Sequence, residues 1–228
     1  KGDKWGLKLG LRLENTDLST LLTNTSEDNS KNYTDFFPSL HTSYQISDQV
    51  SLQAGYTKRI FRPRLWDLNP FFNIRDNYNI RTGNPNLRPE YSDSYELSSI
   101  FKLGRTSFNA SLFHLYTTDM VERVTTFSEN VQTTIPLNVG TNHATGIEIN
   151  GKYVPADWLT FNGDFNWNHY NREGDYESQS FNFTGNRWSG RIMSKFGLPA
   201  GFDVEITGEY QSGYKTVQSE VSGSPSVD

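Results

Sequence analysis

Trp5-Gly6-Leu7-Lys8-Leu9-Gly10-Leu11-Arg12-Leu13-Glu14 alternates without a break: Trp5 and the four leucines lie on one side of an extended chain, Gly6, Lys8, Gly10, Arg12 and Glu14 on the other. Successive side chains of a strand point to opposite faces, so this run reads as a strand with one apolar and one polar face. The same period recurs along the chain. Leu40, Tyr44 and Ile46 share a side, as do Val50, Leu52, Ala54 and Tyr56, then Tyr95, Leu97 and Phe101, and Phe108, Ala110, Leu112 and Tyr116. Later come Ile147, Ile149 and Tyr153; Leu159, Phe161, Phe165 and Trp167; Trp188, Ile192 and Phe196; and Phe202, Val204, Ile206 and Tyr210. These make about nine strands of roughly 9 to 11 residues, the length that crosses a bilayer at the usual tilt.

The links between the runs point the same way. Short turns at Ser47-Asp48-Gln49, Leu103-Gly104-Arg105, Val154-Pro155-Ala156-Asp157 and Gly197-Leu198-Pro199-Ala200-Gly201 alternate with long segments near 15–36, 58–90, 117–145 and 171–186. A soluble sandwich distributes long and short links over both ends, whereas an outer-membrane barrel has short turns on one side and long loops on the other. The expected fold is all-β: an antiparallel up-and-down transmembrane β-barrel segment, with short periplasmic turns and long extracellular loops. Residues 1–228 are expected to be part of a single outer-membrane barrel domain. The competing expectation is a soluble or surface-exposed β-sheet module for carbohydrate or another ligand, its apolar faces packed on each other.

Composition fits the first expectation. Of 228 residues 34% are hydrophobic and 14% aromatic, with no cysteine, and the mean hydropathy is −0.67. No window approaches the roughly 18 to 20 uninterrupted apolar residues of a membrane-spanning helix, and a disulfide scaffold is excluded. A disordered polar chain would be poor in aromatics. Alternating strands between lipid and a polar lumen, joined by hydrophilic loops, account for both numbers. Trp5, Tyr44, Tyr56, Tyr95, Tyr116, Tyr153, Trp158, Trp167, Trp188 and Tyr210 fall at or near the ends of the runs, as amphipathic rings do in two headgroup-level girdles. The net charge of −5 argues against nucleic-acid binding.

The most distinctive stretch is Lys58-Arg59-Ile60-Phe61-Arg62-Pro63-Arg64-Leu65-Trp66-Asp67-Leu68-Asn69-Pro70-Phe71, followed by Asn79-Ile80-Arg81-Thr82-Gly83-Asn84-Pro85-Asn86-Leu87-Arg88-Pro89-Glu90 and Tyr95-Glu96-Leu97. It closely resembles a loop and strand in the barrel of TonB-dependent outer-membrane receptors of the group common in Bacteroidetes. Pro136-Leu137-Asn138-Val139-Gly140, leading through His143 to Gly146-Ile147-Glu148, is similar to a second segment of that family. The resemblance implies a Gram-negative outer-membrane barrel and active import of a scarce nutrient, such as a metal chelate or glycan. It also implies an N-terminal plug and a TonB-type energy complex as partners. Neither a plug nor closing strands are recognisable here, so the chain is expected to be an internal piece of such a barrel wall, prone to self-association if isolated.

Candidate ligand-binding residues come from charge. Lys58, Arg59, Arg62, Arg64, Arg75, Arg81 and Arg88 face only Asp67 and Asp76 in that stretch, and Trp66 and Tyr78 are interleaved with them. Arginine forks with aromatic rings suit an anion or a sugar at the extracellular mouth. The alternative is a rigid strap whose arginines pair with Glu90, Asp93 and Glu96, and a third is contact with lipopolysaccharide phosphates. The polar strand face, with Lys8, Arg12, Gln53, Glu96, Asn109, Glu148, Lys152, Asn162, Asp164 and Glu205, is expected to line the lumen. No enzyme motif appears: Asp93 and Glu96 point to opposite strand faces, unlike a glycosidase pair. His41, His114, His143 and His169 show no metal-ligand spacing, and the acidic runs at 26–29 and 173–177 read as solvated charge, so neither metal nor cofactor is expected.

Overall fold

The computed structural model describes residues 4–22, 27–71, 73–76, 78–176 and 179–227, with all side chains among them except those of 20, 22, 27–29, 73–75, 179 and 227. In chain order the elements are β1 (Trp5–Leu22), β2 (Glu27–Gln45), β3 (Val50–Phe61), α1 (Leu65–Leu68), β4 (Asn73–Asp76), β5 (Asn79–Arg81) and β6 (Glu90–Leu103). They continue with β7 (Thr106–Ser128), β8 (Val131–Ala156), β9 (Leu159–Tyr176), β10 (Gln179–Gly197), β11 (Asp203–Gln211), β12 (Tyr214–Lys215), β13 (Glu220–Val221) and β14 (Ser224–Val227). One sheet runs β1-β2-β3-β6-β7-β8-β9-β10-β11-β14, each strand antiparallel to its neighbour. The nine expected strands are the first nine of this path.

Register carries the two faces unbroken across the sheet. One row reads Leu7, Thr42, Ala54, Leu97, Leu112, Ile147, Trp167 and Trp188. The next reads Gly6, Ser43, Gln53, Ser98, Ser111, Glu148, Asn166, Ser189 and Gln211. A slip of one residue at any pair would exchange the faces of everything beyond it. The leucine face has no second layer on it: Leu7 and Leu9 are both 70% exposed. An apolar surface of this extent on a sheet otherwise rich in Ser, Thr and Asn fits lipid on that side.

The long links differ from expectation. Segments 15–36, 117–145 and 171–186, read as loops, are mostly strand: β1 pairs with β2 as far as Leu22↔Glu27, and β9 with β10 as far as Tyr176↔Gln179. The β7–β8 hairpin closes on Glu129-Asn130, both with positive φ (49° and 66°), between the paired Ser128 and Val131. Two left-handed residues are what a tight two-residue turn needs, and its twist continues that of the strands. Past the apolar band both faces of a strand meet water, so the ladder persists without any hydropathy period to reveal it. For the same reason the girdle residue Tyr116 lies in the middle of β7, at the end of its apolar stretch and not at the strand's end.

Between β3 and β6, the described residues of 62–89 leave the main path of the sheet. They form a flap holding α1, the β4–β5 hairpin and a Pro-rich return, and β5 docks parallel to β8 through Asn79↔Gln132, Ile80↔Thr133 and Arg81↔Thr134. A small core lies near the flap, where Met120, Val124 and Val139 are buried with Leu137, Tyr176, Phe181 and Val217 packed on them. Val217 arrives on the β12–β13 strap, where the Gln218 carboxamide accepts from the Thr125 amide at 2.7 Å and donates to the Thr125 carbonyl at 3.0 Å.

Candidate functional site

The flap is built by local turn chemistry and then tied to strands on both sides. The Asp67 carboxylate accepts from the Arg64 amide at the head of α1, and the Asp76 carboxylate accepts from the Tyr78 amide at 2.8 Å. The Tyr78 amide and the Asn79 carboxamide, which donates at 2.9 Å, hold the Asp76 carboxyl below its ordinary value. Leu68 and Leu87 are the buried apolar side chains of the flap among the described residues. Where its two limbs cross, the Gly83 amide donates to the Asn69 carbonyl at 2.8 Å, and a Cβ on Gly83 would lie 2.4 Å from that oxygen. Only glycine allows so close an approach.

Outward ties begin at Arg62, whose guanidinium donates to Glu14 at 2.7 Å and Thr16 at 3.2 Å on β1. Lys31 donates to the Leu87 carbonyl at 2.6 Å; partial burial, and then the neighbouring Arg88 charge, lower its pKa. On the other side Arg88 grips Asp119 through Nη2 at 2.6 Å and Nε at 3.0 Å. Asp119 sits at φ 53° in the β7 bulge between Thr117 and Met120. Asn138 clamps the junction, accepting from the Arg88 amide and donating to the Arg88 and Asp119 carbonyls at 2.8, 3.0 and 2.7 Å. Asn84 donates to the Pro136 carbonyl, and the Val121 amide donates to Glu90. The two segments singled out by resemblance therefore meet, 84–88 against 136–138, and both are tied to the β7 bulge at 119–121.

A cleft of about 470 Å³ opens between flap and β8, lined by Trp66, Asp67, Asn69, Phe71, Arg81 and Arg123, among others. Trp66 is 81% exposed, and Arg123 is held 2.8 Å from Asp67. An adjoining cleft of about 410 Å³ runs past Arg64, Glu90, Glu122 and Arg123. Burial raises the pKa of Glu90 and of Glu122; for Glu122 it outweighs the pull of Arg172, 2.5 Å away.

The predicted arginines thus divide. Trp66 and Arg81 meet at the first cleft and Arg64 lines the second. Arg62 and Arg88 are braces, and their carboxylates are Glu14 and Asp119, not the expected Glu90, Asp93 and Glu96. Asp93 pairs instead with Lys58, at 3.7 Å. Among the described residues Arg59, Arg64 and Arg81 have no ion-pair partner; Arg59 lies on the polar strand face beside Glu96. Tyr78 is exposed at the flap's β4–β5 turn. Arg75 lies on β4, and its side chain is outside the described residues. Sequence reasoning missed Arg123 and Asn138 as partners of the flap, since nothing local marks a residue whose role depends on a segment some fifty positions away.

Register puts Lys8, Arg12, Gln53, Glu96, Asn109, Glu148, Lys152, Asn162, Asp164 and Glu205 on one face, opposite the leucines. Arg12 lies over the buried Phe37 ring at 4.8 Å, and Glu96 accepts from Ser111 at 3.1 Å. Among the described residues no cluster of three metal-ligating side chains occurs.

The model of the outer membrane protein beta-barrel family matches residues 1–228. Solved structures with this fold include the FrpB iron transporter of Neisseria meningitidis, at 16% identity and a TM-score of 0.64, covering 99% of this chain and 35% of that one. The copper transporter OprC shares 10% identity over 100% of this chain and 37% of its own, with a TM-score of 0.66. The siderophore receptor PirA of Pseudomonas aeruginosa shares 17% identity over 92% and 40%, with a TM-score of 0.53. At these identities the likeness is one of fold, and the chain spans well under half of each. No curated protein sequence matches the chain significantly.

Proposed function

Because this chain belongs to the outer membrane protein beta-barrel family, and so to the bacterial outer membrane, we propose that it is part of the wall of a TonB-dependent import receptor. The whole protein would bind a scarce nutrient, a metal chelate or a glycan, and import it through a plugged lumen with energy from an inner-membrane TonB-type complex. The observation that carries this reading is the two-faced sheet. Its leucine face meets lipid, its Lys8-to-Glu205 face lines the lumen, and at the end away from the short turns a braced flap presents Trp66, Phe71, Arg81 and Arg123 around an open cleft. Arg81, without an ion-pair partner among the described residues, and Arg123, shared with Asp67, beside two rings suit a ligand with an anionic group and a flat or apolar face. The role is one of binding and passage, with no chemical step on the cargo. A soluble carbohydrate module is disfavoured because no second layer covers the leucines.

The test is energised uptake by cells expressing the full-length protein, with radiolabelled ferric chelates and oligosaccharides as probes. Uptake should vanish when the inner-membrane complex is deleted, and R81A/R123A should raise the apparent KM about tenfold while the receptor remains in the membrane. Uptake that survives loss of the complex would reject the receptor reading.

A further inference from the structure

Three of the chain's four histidines share one patch on the lipid side. His114 on β7 stands in the outward row Tyr95, His114, Thr145, His169, and His143 on β8 stands in the row above, opposite Tyr116 and Asn171. Rings run on across the strands: Tyr56 to Tyr95 at 5.1 Å, Tyr95 to His114 at 6.3 Å, His114 to His143 at 5.9 Å and Tyr116 on His143 at 4.4 Å. Toward the short turns the same face carries Leu97, Leu112, Ile147 and Ile149; beyond the rings it carries Lys58 and Asp93, 3.7 Å apart. The belt therefore marks the boundary between acyl chains and headgroups. The His114 Nδ1 is 2.7 Å from the Thr145 hydroxyl and the His169 Nδ1 is 3.2 Å from Asn186 Oδ1. These contacts fix both rings on the strand and leave each Nε2 without a protein partner among the described residues.

We propose that His114, His143 and His169 form a docking patch for the phosphorylated headgroup of an outer-leaflet glycolipid. A tyrosine belt alone would seat the barrel at the interface without regard to headgroup. Imidazoles at the same depth add nitrogens that donate to phosphate oxygens, and charged imidazolium does so most strongly. The acyl chains of such a lipid would run down over Leu112, Ile147 and Ile149, which supplies the continuity between polar and apolar contacts that a lipid needs. The charged groups near the patch are the Lys58–Asp93 pair and, on the outward side of β9, Glu173. The inference rests on the membrane location of the chain and not on cargo uptake.

The test uses the full-length protein reconstituted in phosphatidylethanolamine vesicles and offered bisphosphorylated lipid A, dephosphorylated lipid A or inorganic phosphate. Lipid retained after detergent exchange is counted by native mass spectrometry. H114Q/H143Q/H169Q should retain about tenfold less bisphosphorylated lipid A, while H41Q, on the opposite face, retains as much as the parent. Unaltered uptake and unaltered heat-modifiable migration on gels confirm that the triple variant is folded. Equal retention by the triple variant overturns the proposal. So do equal retention of dephosphorylated lipid A, competition by inorganic phosphate alone, and loss of lipid from every variant on adding a divalent-cation chelator.

Discussion

A single side chain in this sheet has two very different surroundings depending on the parity of its number. Leu9 and Ile149 lie on the apolar face, which the receptor reading turns toward lipid, so Leu9→Arg or Ile149→Arg should cost about 2 to 4 kcal/mol of stability in the membrane. Lys8→Ala and Asn150→Arg, one position away on the opposite face, should be mild; denaturant titration of the reconstituted protein measures all four, and equal costs would refute the assignment of faces. Glu90 and Glu122 behave differently because they lie beyond the apolar band in a crowded junction. Both pKa values are raised by burial from the usual 4.5, so the folded state holds its protons more tightly than the unfolded chain. Their stabilising contribution is complete below the usual carboxylate value and is lost as pH rises through the raised folded values. Amide protection at Val121–Val124, corrected for intrinsic exchange, should fall over that window, and E90Q/E122Q should flatten the dependence. Protection that rises there would mean that the Val121 amide and Arg172 outweigh burial.

At the scale of elements, the flap is a brace before it is a loop. Its ion pairs with Glu14 and Asp119 are partly exposed and contribute little individually. Asn138, with three hydrogen bonds to two backbones at 2.7 to 3.0 Å, and Gly83, where no Cβ fits, do more to hold it. Asn138→Ala should loosen the flap by about 1 to 3 kcal/mol, and Gly83→Ala should displace it outright, while the strands keep their register. Hydrogen exchange at 79–88 against that at 107–116 reads the difference; unchanged protection at 79–88 in both variants would show that the clamp is redundant. The flap's existence was legible in its Asn-Pro pairs and its glycine. Its attachment to β8 was not, because parallel pairing of a three-residue strand leaves no periodicity to read. The hairpin tip at Glu129-Asn130 was equally hidden: neither residue is glycine, and the threonines beside it stand in adjacent pairs, Thr125-Thr126 and Thr133-Thr134, so no two-residue hydropathy period marks the strands.

For the whole molecule, an open ten-strand path with β1 and β14 at its ends leaves two rows of backbone groups unpaired within this chain. In the absence of detergent the chain should associate edge to edge or through its leucine face; a monodisperse monomer in plain buffer on size-exclusion chromatography would contradict the lipid-facing reading. The run from Trp5 to Glu14 already carried the class of fold, because a two-residue period with one apolar face is a local property written by the pleat and by the solvent on each side. The same logic sorted the residues of all nine strands onto an apolar and a polar face, since each pattern needs only its own ten residues. Where both faces are wet, that signal disappears, and only the tertiary structure decided that 15–36, 117–145 and 171–186 are extended hairpins. It alone also paired Arg62 with Glu14, Arg88 with Asp119 and Asn138 with both limbs of a junction. Those contacts join residues far apart in the chain, and they follow from how strands are laid side by side, which no stretch of the sequence encodes by itself.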